Sequence, residues 1–178
     1  MVFFMNLTEF LLDGSVVDLN DGTLAIGWGE RERFEKGGAP SLFYFQDFFL
    51  NEKMPWHRHR HQKMVSHAEF KEFLLKPPSS ERIHWPFLEP SPFFSSFDSL
   101  QDLISNNKLS KGVPYLLHKG KKRVTPSLLC QSLRGAMDAS TKYPLHLYGT
   151  WQGGRGLLGA TPEILFERKG EQLHTVAC

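Results

Sequence analysis

The chain has 178 residues, 40% of them hydrophobic, with 21 Lys plus Arg against 19 Asp plus Glu. That length suits one domain with two subregions and is enough to bury a core. A net charge of +2 gives no argument for nucleic acid or a membrane surface as a partner. The only cysteines, Cys130 and Cys178, make neither a disulfide framework nor a metal-ligand spacing. They read as free thiols in a reducing compartment.

The apolar start (residues 1–14) lacks a basic leading segment and a small-residue cleavage site, and Glu9 and Asp13 interrupt it. Neither a signal peptide nor a membrane span is expected, and the cytoplasm is the expected location. Residues 6–12 suit a short helix or a strand. Asp13-Gly14 and Asn20-Asp21-Gly22 are hairpin-type turn signals, and the β-branched runs beside them (15–19 and 23–29) suit strands. Residues 31–40 are charged and Gly-rich and read as a surface loop. Residues 41–50 read as an aromatic strand.

Residues 51–67 are the least regular stretch. His57, His59 and His61 alternate, and on a strand they share one face. Two readings stand: a metal site, since imidazole is a good ligand, or a basic exposed loop, since Arg58 and Arg60 are interleaved. Residues 68–76 suit one or two helical turns, and the prolines of 83–94 read as a connector.

From residue 95 a helix is expected, with Ser96 as N-cap and Leu100, Leu103 and Ile104 on one face. Residues 109–117 read as a short strand carrying Lys111. The basic run 119–123 is read as solvated surface over phosphate binding. Thr125-Pro126 opens a second helix, in which Leu128, Leu129, Leu133 and Met137 share a face and Cys130 is a small filler. Strands follow at 144–151, 156–159, 164–168 and 172–178. The order of sheet, then helix–strand–helix, then sheet predicts an α+β fold with antiparallel sheets packed on helices. Residues 1–94 form a sheet-rich N-terminal region and 95–178 a second region.

Two residues stand out chemically. Glu163 follows Gly159 and Pro162 between two apolar strands. The glycine allows close approach of a ligand and the proline stiffens the loop, so the carboxyl suits a general acid; a surface carboxylate at a bulge is the plain alternative. Lys111, beside Gly112 at a strand start, suits a base if buried, or is an exposed strand-end lysine.

Leu157-Leu158-Gly159-Ala160-Thr161-Pro162-Glu163-Ile164-Leu165 matches the "F-L-G-x-[ST]-P-E-x-L" of the chorismate-utilising enzymes. Gly170, Leu173, Thr175 and Ala177 then match the approach to that family's "A-G-T" strand. Upstream, Leu103-Ile104 and Lys111-Gly112-Val113 match its helix and "K-V-V" strand. Residues 96–178 therefore resemble the N-terminal part of the catalytic domain of isochorismate synthase and its anthranilate and aminodeoxychorismate synthase component I relatives. Lysine at 111, where the ammonia-using relatives carry glutamine, favours isochorismate synthase.

The resemblance implies that chorismate is the substrate, in menaquinone or siderophore biosynthesis. Lys111 would be the base that activates water and Glu163 the acid that protonates the departing hydroxyl. It also implies Mg²⁺, with ligands expected beyond Cys178. The alternatives are an ammonia-using relative and a truncated, catalytically inactive chorismate-binding-like fragment.

Overall fold

The computed structural model describes residues 6–38, 43–47, 49–74, 81–143, 145–163 and 167–174. They form an α+β protein of two compact units, one from the residues up to Glu81 and from Val124 onward, the other Arg82–Arg123.

In the first unit, helix α1 (Leu7–Leu12) is capped by the Asn6 side chain, which accepts from the Glu9 amide. It leads directly into β1 (Asp13–Asp18), which turns back into β2 (Thr23–Phe34). Asn20 and Gly22 hold positive φ in that turn, as expected for a tight hairpin. β2 runs on to Phe34, taking in the first four residues of the charged stretch 31–40 read as a loop. Glu32 projects from the ladder and meets Arg58 across β4 (Trp56–Ser66), whereas the Arg31 side chain is buried. The residues expected to be irregular around the histidines are thus an eleven-residue strand. Of the aromatic run, only β3 (Phe43–Tyr44) is strand; residues 39–42 and 48 lie outside the described residues.

Helix α2 (His67–Phe73) starts at a capping box formed by Ser66 and Glu69. Helix α4 (Pro126–Ser140) starts at Thr125, whose hydroxyl accepts from the Leu128 amide, as the Thr-Pro pair predicts. β5 (His146–Gln152) and β6 (Arg155–Thr161) form a hairpin. Gly153 and Gly154 both take positive φ at its turn, which side chains other than glycine disfavour. A short hairpin, β7 (Glu167–Lys169) and β8 (Gln172–His174), follows. The strands expected at 164–166 and 175–178 lie outside the described residues.

The main sheet runs β3-β4-β2-β1-β5-β6, antiparallel throughout. One face carries Val16, Leu24, Ile26, Leu147 and Trp151 against Phe10 of α1, Phe70 of α2 and Leu133 of α4. Phe10 is the hub. Its ring meets Phe70, Phe73 and Trp151 edge-on, and its carbonyl accepts from Trp151 Nε1 at 2.6 Å. Cys130 packs in the same core, and burial pushes its thiol pKa up, so it is a filler there.

In the second unit, helix α3 (Ser91–Ser105) begins four residues ahead of the expected start at 95. Pro90 and the fixed φ of Pro92 suit a first turn. Ser96 is therefore inside the helix, donating back to the Pro92 carbonyl, and is not its cap. Residues 109–120 have no regular structure, so the expected strand around Lys111 is absent. Gly112 and Pro114 weaken a ladder there, and among the described residues no strand pairs with it. No helix among the described residues is long and apolar enough to cross a membrane.

Phe10→Ala should cost about 3–5 kcal/mol in urea unfolding, because α2 and β5 both close on that ring. A loss under about 1 kcal/mol would show that they do not depend on it.

Candidate functional site

Glu163 stands just beyond the end of β6, exposed to solvent. Its backbone N–H donates to Thr161 Oγ1 at 3.1 Å, a local turn that Pro162, with no N–H of its own, permits. Thr161 is the last paired residue of β6, opposite His146, and Gly159 lies opposite Tyr148. Opposed residues share a face, so His146, Tyr148, Gly159 and Thr161 lie on one side of this hairpin.

The space above Gly159 is not open for a ligand. A Cβ there would lie 2.5 Å from both Cζ and the hydroxyl of Tyr148, whose ring fills that space. The glycine of the motif thus serves the close approach of a neighbouring side chain in the same sheet.

Lys111 lies in the second unit and is exposed. Its neighbour Gly112 packs on α3, where an added Cβ would run into Leu100 Cδ1. A shallow cleft of about 560 Å³ lies alongside, lined by Ser95, Ser99, Leu100, Leu103 and Val113 among others. Lys111 and Glu163 therefore belong to different units, and each is accessible to solvent.

The chain also holds a buried polar cluster that residue patterns did not show. Ser15 is fully buried, and His57 and His59 are 6% and 3% exposed. Both imidazoles point Nε2 at the Ser15 hydroxyl, at 3.1 and 2.8 Å. His59 Nδ1 faces the Gly29 carbonyl at 3.1 Å. A carbonyl only accepts, so Nδ1 carries the proton and Nε2 accepts from Ser15. Thr150 Oγ1 is 3.0 Å from Ser15 and accepts from Arg31 Nη1 at 2.7 Å. Arg31 also bonds Asp13 and the carbonyls of Gly14 and Trp151. His57 is stacked by Phe43 and Phe45.

A bulge explains why these histidines leave the pattern of His61. β2 shifts register by one residue between Trp28 and Arg31, at Gly29, whose φ is 81°. Before the shift, Leu24 and Trp28 of the core face oppose Val65 and His61; beyond it, Arg31 and Arg33 oppose His59 and His57. A one-residue slip exchanges the faces brought together. His61 accordingly stacks on Trp28, and only His57 and His59 reach Ser15. The exposed-loop reading thus fails for this stretch, because a bulge cannot be read from alternation alone.

A serine beside two imidazoles has the composition of a nucleophile–base pair. Here the hydroxyl is closed off by protein on every side, and the cluster acts as a structural bond among strands. Burial first, then Arg31, His59 and Arg33, push the pKa of His57 down from 6.5 to about 3. Burial and Arg31 push His59 down to about 4, against the upward pull of the Gly29 carbonyl and Asp13.

Comparison of the chain with protein-family models, with curated proteins and with solved structures finds no match.

Both histidines are neutral in the folded protein at pH 7 and titrate near 6.5 when unfolded. Below about 6.5 the unfolded chain binds more protons, so stability is full above that pH and is lost as pH falls toward about 4 and then 3. The limiting slope is ~1.4 kcal/mol per pH unit for each ring. Urea unfolding at several pH values should show this, and His57→Gln should remove one ring's share; an unchanged pH dependence in that variant contradicts the assignment. Separately, Gly159→Ala should destabilise the parent and cost less in a Tyr148→Ala background, with a coupling of about 1 kcal/mol or more. Additive effects would mean that the ring does not occupy the glycine's space.

Proposed function

We propose that this chain carries the acid and base of an isochorismate synthase-like reaction, with chorismate as substrate. The observation that carries the reading is the segment Gly159-Ala160-Thr161-Pro162-Glu163. It ends an edge strand and presents an exposed carboxyl group from a backbone held by Thr161. The order of the motifs from Lys111 to Glu163 supports it further, as does lysine at 111.

In this reaction water adds to C2 of chorismate while Lys111 takes its proton. The ring double bonds shift, the C4–oxygen bond breaks, and Glu163 protonates the departing hydroxyl. One water enters and one leaves, so the net change is an isomerisation to isochorismate. Among the described residues no group of three or more His, Cys, Asp or Glu is arranged to hold a metal ion. These residues do not by themselves fit the Mg²⁺ that the resemblance implies, and no step here runs through it.

The test is conversion of chorismate to isochorismate by the full-length protein with Mg²⁺, with and without ammonium. Lys111→Ala and Glu163→Gln should each lower turnover by about 10²-fold or more while leaving the melting temperature unchanged. Ammonium-dependent formation of an amino product would move the protein to the ammonia-using branch. No turnover, with no Mg²⁺-dependent chorismate binding, would overturn the reading.

A further inference from the structure

Resting on the role proposed for Glu163, the geometry points to Tyr148 and Thr161 as positioning residues for that carboxyl group. Tyr148 holds edge strand β6 through the space at Gly159, and the Thr161 hydroxyl holds the Glu163 amide. The need for them follows from the topology. Among the described residues β6 is the last strand of its sheet and pairs with β5 alone. An edge strand has half the ladder bonds of an internal one and frays more readily at its end.

Glu163 lies two residues past Thr161, where the pairing stops. Pro162 between them has no N–H to donate. The Glu163 amide is therefore the first backbone donor beyond the ladder, and it is bound to Thr161 Oγ1 at 3.1 Å. The hydroxyl thus substitutes for the missing strand partner at this step. Any loss of that bond frees rotation at the residue bearing the proposed acid.

Tyr148 acts one step earlier. Its ring fills the Gly159 position from across the strand pair, so β6 is held by side-chain contact as well as by hydrogen bonds. β5 itself is anchored deep in the unit. Two residues from Tyr148 on the same face, Thr150 is bound to Arg31 and Ser15. The other face of β5 buries Leu147 and Trp151 in the core. Position is thus handed from the buried cluster to β5, from the Tyr148 ring to β6, and from the Thr161 hydroxyl to Glu163. Ring carbons Cζ and Cε2 make the contact together with the hydroxyl, so Tyr148→Phe keeps most of it and Tyr148→Ala loses it.

The experiment measures fast amide–water exchange by NMR on the ¹⁵N-labelled full-length protein, alongside chorismate turnover. Thr161→Val should speed exchange at Glu163 by roughly fivefold, the worth of one hydrogen bond, with the melting temperature unchanged. Thr161→Ser should restore the parent rate. Tyr148→Ala should speed exchange along β6 and at Glu163, and Tyr148→Phe should not.

In the turnover assay, Thr161→Val should lower kcat by about tenfold with KM within about twofold, and Thr161→Ser should recover it. Unchanged Glu163 exchange in Thr161→Val, or no rescue by serine, overturns the positioning role. Unchanged kcat in an active protein overturns its importance for the reaction. A parent protein that turns over no chorismate refutes the proposed function instead, and the exchange measurements still decide whether these two residues hold Glu163.

Discussion

The guanidinium of Arg31 is the interaction on which the sheet depends. Its side chain is only 7% exposed, and a charge taken that far out of water is costly unless paired and fully hydrogen-bonded. Asp13 supplies the opposite charge, Thr150 an oxygen, and Gly14 and Trp151 their carbonyls. One side chain from β2 thereby bonds both β1 and β5. Ser15 passes the connection to His57 and His59 of β4, and the stack of Phe43 on His57 brings in β3. Removing Arg31 leaves Asp13 and two carbonyls short of partners in a buried place, a loss larger than that of a single bond.

The two faces of the sheet are therefore held by different physics. The helix face is held by ordinary apolar burial around Phe10. The opposite face is held by directional bonds, which fix register more strictly than contact among apolar side chains. The bulge at Gly29 joins the two, turning the alternation of β4 from the core face to the polar cluster. Arg31 binds Thr150, Tyr148 stands on the same face of β5, and Tyr148 contacts β6 at Gly159. The proposed acid is thus carried on a strand whose neighbour is bonded to the buried arginine.

Much of the local structure was legible in the residues. Thr125-Pro126 marked the start of α4, and Leu128, Leu129, Leu133 and Met137 gave its buried face. Asn20-Asp21-Gly22 marked the β1–β2 turn. These features depend on residues near one another, where capping and turn chemistry act. The strand expected at 109–117 failed for a related reason: apolar residues without a partner strand do not make a ladder. The interleaved arginines around His57 and His59 signalled an exposed loop, and they do project outward, but from a strand whose intervening histidines are buried.

By itself, the sequence determined the α+β class, the cap of α4, the tight turn at Asn20-Asp21-Gly22, and the motif that brings Glu163 to notice. Each follows from short-range backbone preferences and from the period of apolar residues. The tertiary structure alone decided that Arg31, Ser15, His57 and His59 form one buried cluster. It also decided that the motif's glycine makes room for Tyr148. Both outcomes depend on strand pairing between residues far apart in the chain, and on a one-residue bulge that changes which faces meet.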